Sequence, residues 1–541
     1  MKAVKVRALA AGLGLAAVLS ACSSTDTAAG QSGGAPRPGG TLTYALATSP
    51  DQLDPARSGL NVAGRVLRSI FDSLVSLQPD GSVQPWLATK WDISADGTAY
   101  TFTLRDDVRF QDATPLNADA VKFTFDRILA PQTKSLTAKF QLNALKSTEV
   151  LDARTVRLTL NKPSSALLTN LASPFLGIVS PTAAAKQGDQ FTRHPVGSGP
   201  YEFVRWDTNS QIVLKRNPGY AWAQPAVKNR GAGHLDEVVF RIVPEDATRI
   251  GGAQGGELLA AEKVPAQLAA GVERDKRLRL VKERVTGLPY SLIFNQKQQP
   301  WDDVRLRKAV RAGLDVESIV KTLYLGTYER AWSAVTPGVL GYDASLERSY
   351  QPDVAEAKHL LDEAGWTAGP DGVRVKGGTQ LVLRYVGSYP NNEKSHDIAQ
   401  LVQQQLKAVG IKVDVDVSSN VAELLTKTGE FDVYPTGTAA VDPDALSGFY
   451  SSRILALVNG TQDLAGIADP DIDAWLDEGA ASLDSQRRAE LYKQVQRKLI
   501  DQVALIPIYA PTYTVAASRK VQGLAFDPLN SPIINDAYLA G

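Results

Sequence analysis

The stretch Ser395–Val417, SHDIAQLVQQQLKAVGIKVDVDV, sets the class of fold. Ile398, Leu401, Val402, Leu406 and Val409 recur at three- and four-residue steps, the apolar stripe of a helix. Gly410 follows where a helix ending in a left-handed turn wants a residue without a Cβ. Ile411, Val413, Val415 and Val417 then alternate with Lys412, Asp414 and Asp416, the pattern of a half-buried strand. Helix, glycine and strand make one α–β unit.

The same alternation runs along the chain. Asp353 is placed to cap a helix whose apolar stripe is Ala357, Leu360, Leu361 and Ala364, with Gly365 ending it. Leu491, Val495, Leu499 and Val503 share one face of a helix over Asp484 to Gln502, and Ala504 to Ala510 reads as a buried strand. Tyr100 to Leu104 and Thr155 to Leu160 alternate as strands. No internal repeat interrupts the series, so the fold class is α/β.

The ends and composition narrow the function. Lys2, Lys5 and Arg7 precede an uncharged run from Ala8 to Leu19, the layout of a secretory signal peptide (residues 1–21) and too short to span a bilayer comfortably. Leu19-Ser20-Ala21-Cys22 resembles a bacterial lipobox, which makes Cys22, the only cysteine, the expected lipidation site. No intramolecular disulfide is possible. Residues 22–40, rich in Ser, Thr, Ala, Gly and Pro, read as a lipidated flexible tether. Lys plus Arg and Asp plus Glu both number 58, which leaves no electrostatic footprint for nucleic acid. The mature protein is expected to be held at the extracytoplasmic face of the cell membrane only through its acylated end: the periplasmic side in Gram-negatives, the outer face in Gram-positives.

Several motifs occur in a fixed order. Trp91–Arg105, WDISADGTAYTFTLR, reads as strand, Asp-Gly turn and strand, and leads through Val108-Arg109-Phe110 to a helix capped by Asn117. Pro195–Tyr201 (PVGSGPY), Arg216–Tyr220 (RNPGY), Phe294-Asn295 with Trp301–Val310 (WDDVRLRKAV), and Ala357–Trp366 (AKHLLDEAGW) follow. Together they resemble the signature segments of the family 5 extracytoplasmic solute-binding proteins, the dipeptide-, oligopeptide- and nickel-binding receptors of ABC importers. The motifs read as structural: Gly197 and Gly199 suit a tight turn, and Ser198 is not in a Gly-x-Ser-x-Gly setting.

The resemblance implies a two-lobed periplasmic-binding-protein fold (type II, cluster C) with an extra subdomain in the first lobe. The first lobe would span 41–286, with the extra subdomain at about 77–190. The second lobe would span 287–508, and 509–541 would return to the first. Two short crossings suit a hinge closing over a small solute, with a peptide preferred. The expected partners are that ligand and an ABC permease and ATPase complex, and the protein is expected to act as a monomer. Segments expected to line the cleft contribute Asp51, Leu53, Trp332, Tyr389, Asn391, Thr436, Gly437, Thr438, Asp442 and Asp444. One departure stands out. Where peptide-binding members carry an aspartate for the ligand amine this chain aligns Ala439, and where the dipeptide receptors carry an arginine for the carboxylate it aligns Gly387. Asp442 or Asp444 is a substitute for the amine partner, and sugars, metal chelates and other small polar solutes stay open as ligands.

No cofactor, metal site or catalytic residue is expected. His194, His234, His359 and His396 are scattered without metal-ligand spacing, and no nucleophile, paired-carboxylate or zinc motif marks a hydrolase. A peptide-sensing surface receptor of the same fold is the remaining alternative.

Overall fold

The computed structural model describes residues 36–388, 394–418, 421, 424–425, 429–453 and 465–540. The predicted α–β unit is present: helix Ser395–Lys407, then strand Lys412–Ser418. Gly410 has φ +87°, and the N–H groups of Gly410 and Ile411 donate to Lys407 O and Leu406 O, both at 3.1 Å. That pair of bonds is a Schellman stop, which satisfies carbonyls the helix leaves open. Ile398, Val402 and Leu406 are fully buried, and Val413 nearly so.

This unit belongs to a six-stranded sheet, ordered Glu329–Arg330, Leu505–Ala510, Gly287–Phe294, Val433–Ala439, Val382–Ser388 and Lys412–Ser418. Strand Val382–Ser388 pairs in parallel with the strands on both sides. A separate seven-stranded sheet runs Leu278–Arg284, Thr512–Ser518, Ala260–Glu262, Thr41–Leu46, Glu237–Ile242, Gln211–Arg216 and Tyr201–Asp207. At its centre, Thr41–Leu46 is parallel to both neighbours. Leu42, Tyr44, Ala45 and Leu46 have no exposed surface, as a strand covered on both faces requires.

Each sheet organises its own core. Leu42, Phe71, Phe102, Phe125 and Val515 lie in one buried cluster; Phe294, Trp301, Tyr385, Val402 and Ile506 lie in another. A four-stranded antiparallel sheet, ordered Ala88–Ile93, Ala99–Leu104, Thr155–Leu160 and Leu145–Asp152, adds to the first lobe. Helix Ala118–Leu129 packs on it and is capped as expected, Asn117 Oδ1 accepting from Ala120 N at 3.0 Å. The Gly197-Ser198-Gly199 loop braces the end of helix Asn61–Ile70: Gly199 N donates to Ile70 O at 2.8 Å, and Ser198 Oγ donates to buried Asp72 at 2.8 Å.

The chain passes between sheets twice. Leu278–Arg284 ends in the first sheet and Gly287–Phe294 begins in the second; Leu505–Ala510 ends in the second and Thr512–Ser518 begins in the first. The return to the first lobe therefore starts at Pro511. The expected start at Tyr509 is corrected, because Tyr509 still pairs with Tyr290 and Ala510 with Glu329 in the second sheet.

Candidate functional site

In open α/β sheets, ligands bind outside the carboxyl ends of parallel strands. In the first lobe those ends are Leu46, Ile242 and Glu262; in the second they are Ser388, Ser418 and Ala439. Both edges border the crossings. Ala439 is paired with Gly287, and Ala440 N donates to Thr286 O at 3.0 Å. Glu262 is paired with Val515, just past the second crossing. The carboxyl edges of the two sheets therefore meet beside the crossings.

On the first-lobe edge sits a charge network that sequence reasoning did not find. Glu262 is fully buried. Its carboxylate accepts from Ala47 N at 3.0 Å and from the Tyr513 hydroxyl at 2.7 Å, and Arg65 Nε lies 3.0 Å from it. The Tyr44 and Tyr513 hydroxyls are 2.7 Å apart, and the Arg65 guanidinium lies 4.8 Å above the Tyr513 ring. Burial, reinforced by the Glu262 charge, pushes the Tyr44 hydroxyl well above its ordinary range, so it remains a neutral donor. Burial alone would depress Arg65, but Glu262 and the two tyrosines outweigh it and hold the guanidinium charged. The signal available in sequence was a lone arginine inside Val62-Ala63-Gly64-Arg65-Val66-Leu67 and a lone acid closing the apolar run Leu258 to Ala261.

Just inside the second-lobe edge, tyrosines pack in that lobe's core. Tyr290 stacks on Tyr509 with centroids 4.9 Å apart and planes 8° apart, and Tyr324 stacks on Tyr328 at 4.4 Å and 12°. Tyr324 lies 4.7 Å from Tyr509, joining the pairs. Thr436 is partly exposed, and Gly437 and Thr438 are exposed, near the end of their strand beside the crossing. Gly437 runs against the backbone of Pro289 and Tyr290.

The other predicted residues are placed differently. Asp51 accepts from Ser58 Oγ at 2.6 Å and from Gly59 N at 3.1 Å, clasping the loop ahead of helix Asn61–Ile70. Leu53 is corrected to a core residue: it has no exposed surface and packs in the first-lobe cluster. Trp332 is half-buried within the second lobe, 4.0 Å under the Arg330 guanidinium and edge-on to Tyr350 at 5.5 Å. Asp442 and Asp444, the expected substitutes for an amine partner, are both engaged within the second lobe. Asp442 is spent on Arg488 at 2.7 Å, both side chains less than a tenth exposed. Asp444 accepts from Ser447 Oγ at 2.7 Å and Tyr492 OH at 3.4 Å. Burial, then the Asp442 charge, raises the pKa of Asp444. Cys22, Tyr389 and Asn391 lie outside the described residues.

Away from the crossings the lobes also touch directly. Ser165, on the loop after Thr155–Leu160, donates from N to Ala480 O at 2.8 Å and from Oγ to Gly479 O at 3.1 Å. It thereby caps the carboxyl end of helix Pro470–Ala481. Among the described residues no helix is long and apolar enough to cross a membrane.

Two cores and two adjacent crossings between the sheets define a two-lobed protein of mixed α/β type. The family model for bacterial extracellular solute-binding proteins, family 5 (middle region), matches residues 82–454, and the chain belongs to that family. It is 30% identical over 511 residues to the glutathione-binding protein GsiB of Salmonella typhi, covering 92% of this chain and 94% of that one. Among solved structures it resembles the periplasmic binding protein DppA of Helicobacter pylori in complex with the peptide STSA. There the TM-score is 0.77 and the identity 25%, covering 93% and 99% of the two chains. It also resembles AgaA of A. tumefaciens R10 in complex with agropinic acid, at TM-score 0.75 and 26% identity, again covering 93% and 99%. Proteins of this family are extracytoplasmic, bind ligands and work with an ABC permease and ATPase.

Proposed function

We propose that this protein captures a short peptide or peptide-like solute in the interlobe crevice and delivers it to an ABC importer, tethered to the membrane through acylated Cys22. The observation that carries the reading is the pair of parallel-strand edges brought together at two adjacent crossings. A crevice of this kind buries a small ligand on closure and releases it on opening. Similarity along nearly the whole chain to a glutathione-binding protein and to a peptide complex supports a peptide. The occupied Asp442 and the uncharged Ala439 and Gly387 favour a second reading, a non-peptide organic acid like the ligand of AgaA.

Mass spectrometry of ligand carried through native purification, followed by calorimetry with glutathione and short peptides, tests the choice. A co-purified peptide with saturable binding is expected. A co-purified sugar or non-peptide organic acid, with no response to any peptide, overturns it.

A further inference from the structure

Helix Asn61–Ile70 and the carboxyl-terminal tail share the wall of a small cavity in the first lobe. Ser69 comes from the helix and Asn535 from the tail, and Arg68, Asp72 and Gln224 line the same space. Ser69 is 2% exposed and Asn535 3%. Ser69 Oγ and Asn535 Oδ1 nevertheless have no hydrogen-bond partner among the described residues. Turning the Asn535 amide does not relieve this. Its Nδ2 donates to Gly231 O at 3.1 Å and to Asn229 O at 3.3 Å, and a flip would set the amide oxygen against both carbonyls. The unpaired atom of Asn535 is therefore an acceptor, and the unpaired group of Ser69 is a hydroxyl that donates and accepts. The two do not bond each other. What joins them must itself be a hydrogen-bond donor.

The same wall limits what that molecule is. Arg68 disfavours a cation and Asp72 an anion, and both are already satisfied. Arg68 donates to Asp527, Ser73 and Ala172 O, and the Asp72 carboxyl accepts from Ser198, Tyr220 and Trp222. The cavity measures about 20 Å³, and on the order of 10–15 Å³ admits one water molecule. We infer that Ser69 and Asn535 bind a structural water, which joins the carboxyl-terminal tail to helix Asn61–Ile70. The tail has few bonds of its own. Ala525–Phe526 and Pro532–Ile533 pair over only two residues each, and Pro528 and Pro532 have no N–H to give. Its charged fastenings are Asp527, 3.1 Å from Arg68 Nε, and Asp536, which accepts from Lys228 N at 2.9 Å and Asn229 N at 2.7 Å. The water adds a neutral one, made to the helix rather than to a loop.

The test is a high-resolution crystal structure of the mature protein, together with thermal unfolding and hydrogen-exchange mass spectrometry of wild type and Ser69→Ala. Density for a water within hydrogen-bond reach of both Ser69 Oγ and Asn535 Oδ1 is expected. Ser69→Ala separates the alternatives by sign. A hydroxyl that holds a water stabilises the fold, so its removal lowers the melting temperature and speeds amide exchange in residues 525–536 about fivefold. A hydroxyl buried with no partner costs stability, so its removal raises the melting temperature. A site with no water bonded to both atoms overturns the inference. So does a raised melting temperature in Ser69→Ala, or tail exchange that the substitution leaves unchanged.

Discussion

Val285 N donates to Pro511 O at 3.1 Å, so the two strands that join the lobes are hydrogen-bonded to each other at the point where they cross. The lobes therefore turn about one narrow double-stranded waist. Next to it, Gly287 has φ +142°, and a Cβ built there would lie 2.1 Å from Thr438 O. Gly287→Ala is expected to lose at least about 2 kcal/mol of stability, from the unfavourable backbone region together with the displaced strand. Urea unfolding measures it; a loss below about half a kcal/mol would contradict the tight packing at the waist.

Closure is expected to respond to Ser165, which reaches from the first lobe to the helix Pro470–Ala481. Ser165→Ala removes the Oγ bond and keeps the N–H. With about 1 kcal/mol at stake, the closed population and the apparent ligand affinity should fall by a few-fold. Single-molecule energy transfer between labels on the two lobes reads the population directly, and an unchanged distribution would exclude a latch.

Asp442→Ala leaves Arg488 buried without its acid. A loss of about 3–5 kcal/mol in unfolding free energy is expected, with unchanged ligand affinity per folded molecule. A large affinity change at unchanged stability would instead return Asp442 to the ligand.

Asp72 gives the first lobe a pH signature. Burial raises its pKa from 3.8 to about 6, against the opposing pull of hydrogen bonds from Trp222, Ser198 and Tyr220. The folded state therefore holds this proton more tightly than the unfolded chain. Stability from this group is greatest below pH 3.8 and declines as pH rises toward about 6, by on the order of 3 kcal/mol in total. Unfolding of wild type and Asp72→Asn between pH 4 and 7 isolates the slope, which should be absent from the variant.

Cys22→Ser is expected to move the protein from the membrane fraction to the medium or periplasm. Fractionation of cells expressing each form checks it, and unchanged retention would argue against acylation.

What sequence could show was local. The stripe Ile398 to Val409, the stop at Gly410 and the caps at Asn117 and Asp353 depend on residues within a turn or two of one another, and each is present. The site was less legible because its contacts are long-range. Tyr513 and Glu262 are 251 residues apart, and Tyr44 and Tyr513 are 469 apart. No periodicity encodes such partners. Leu53 illustrates the opposite error: the loop position expected to line the cleft puts its side chain in the core.

Strand Thr512–Ser518 lies between Leu278–Arg284 and Ala260–Glu262. A ribosome making this chain therefore delivers the piece that completes the amino-terminal lobe only after the whole of the second lobe. Until then the edge strand Leu278–Arg284 has no neighbour to join it to the rest of its sheet, and the second lobe, contiguous between the crossings, is free to mature first. Truncation just before Thr512 would thus be felt by the half of the molecule made earliest.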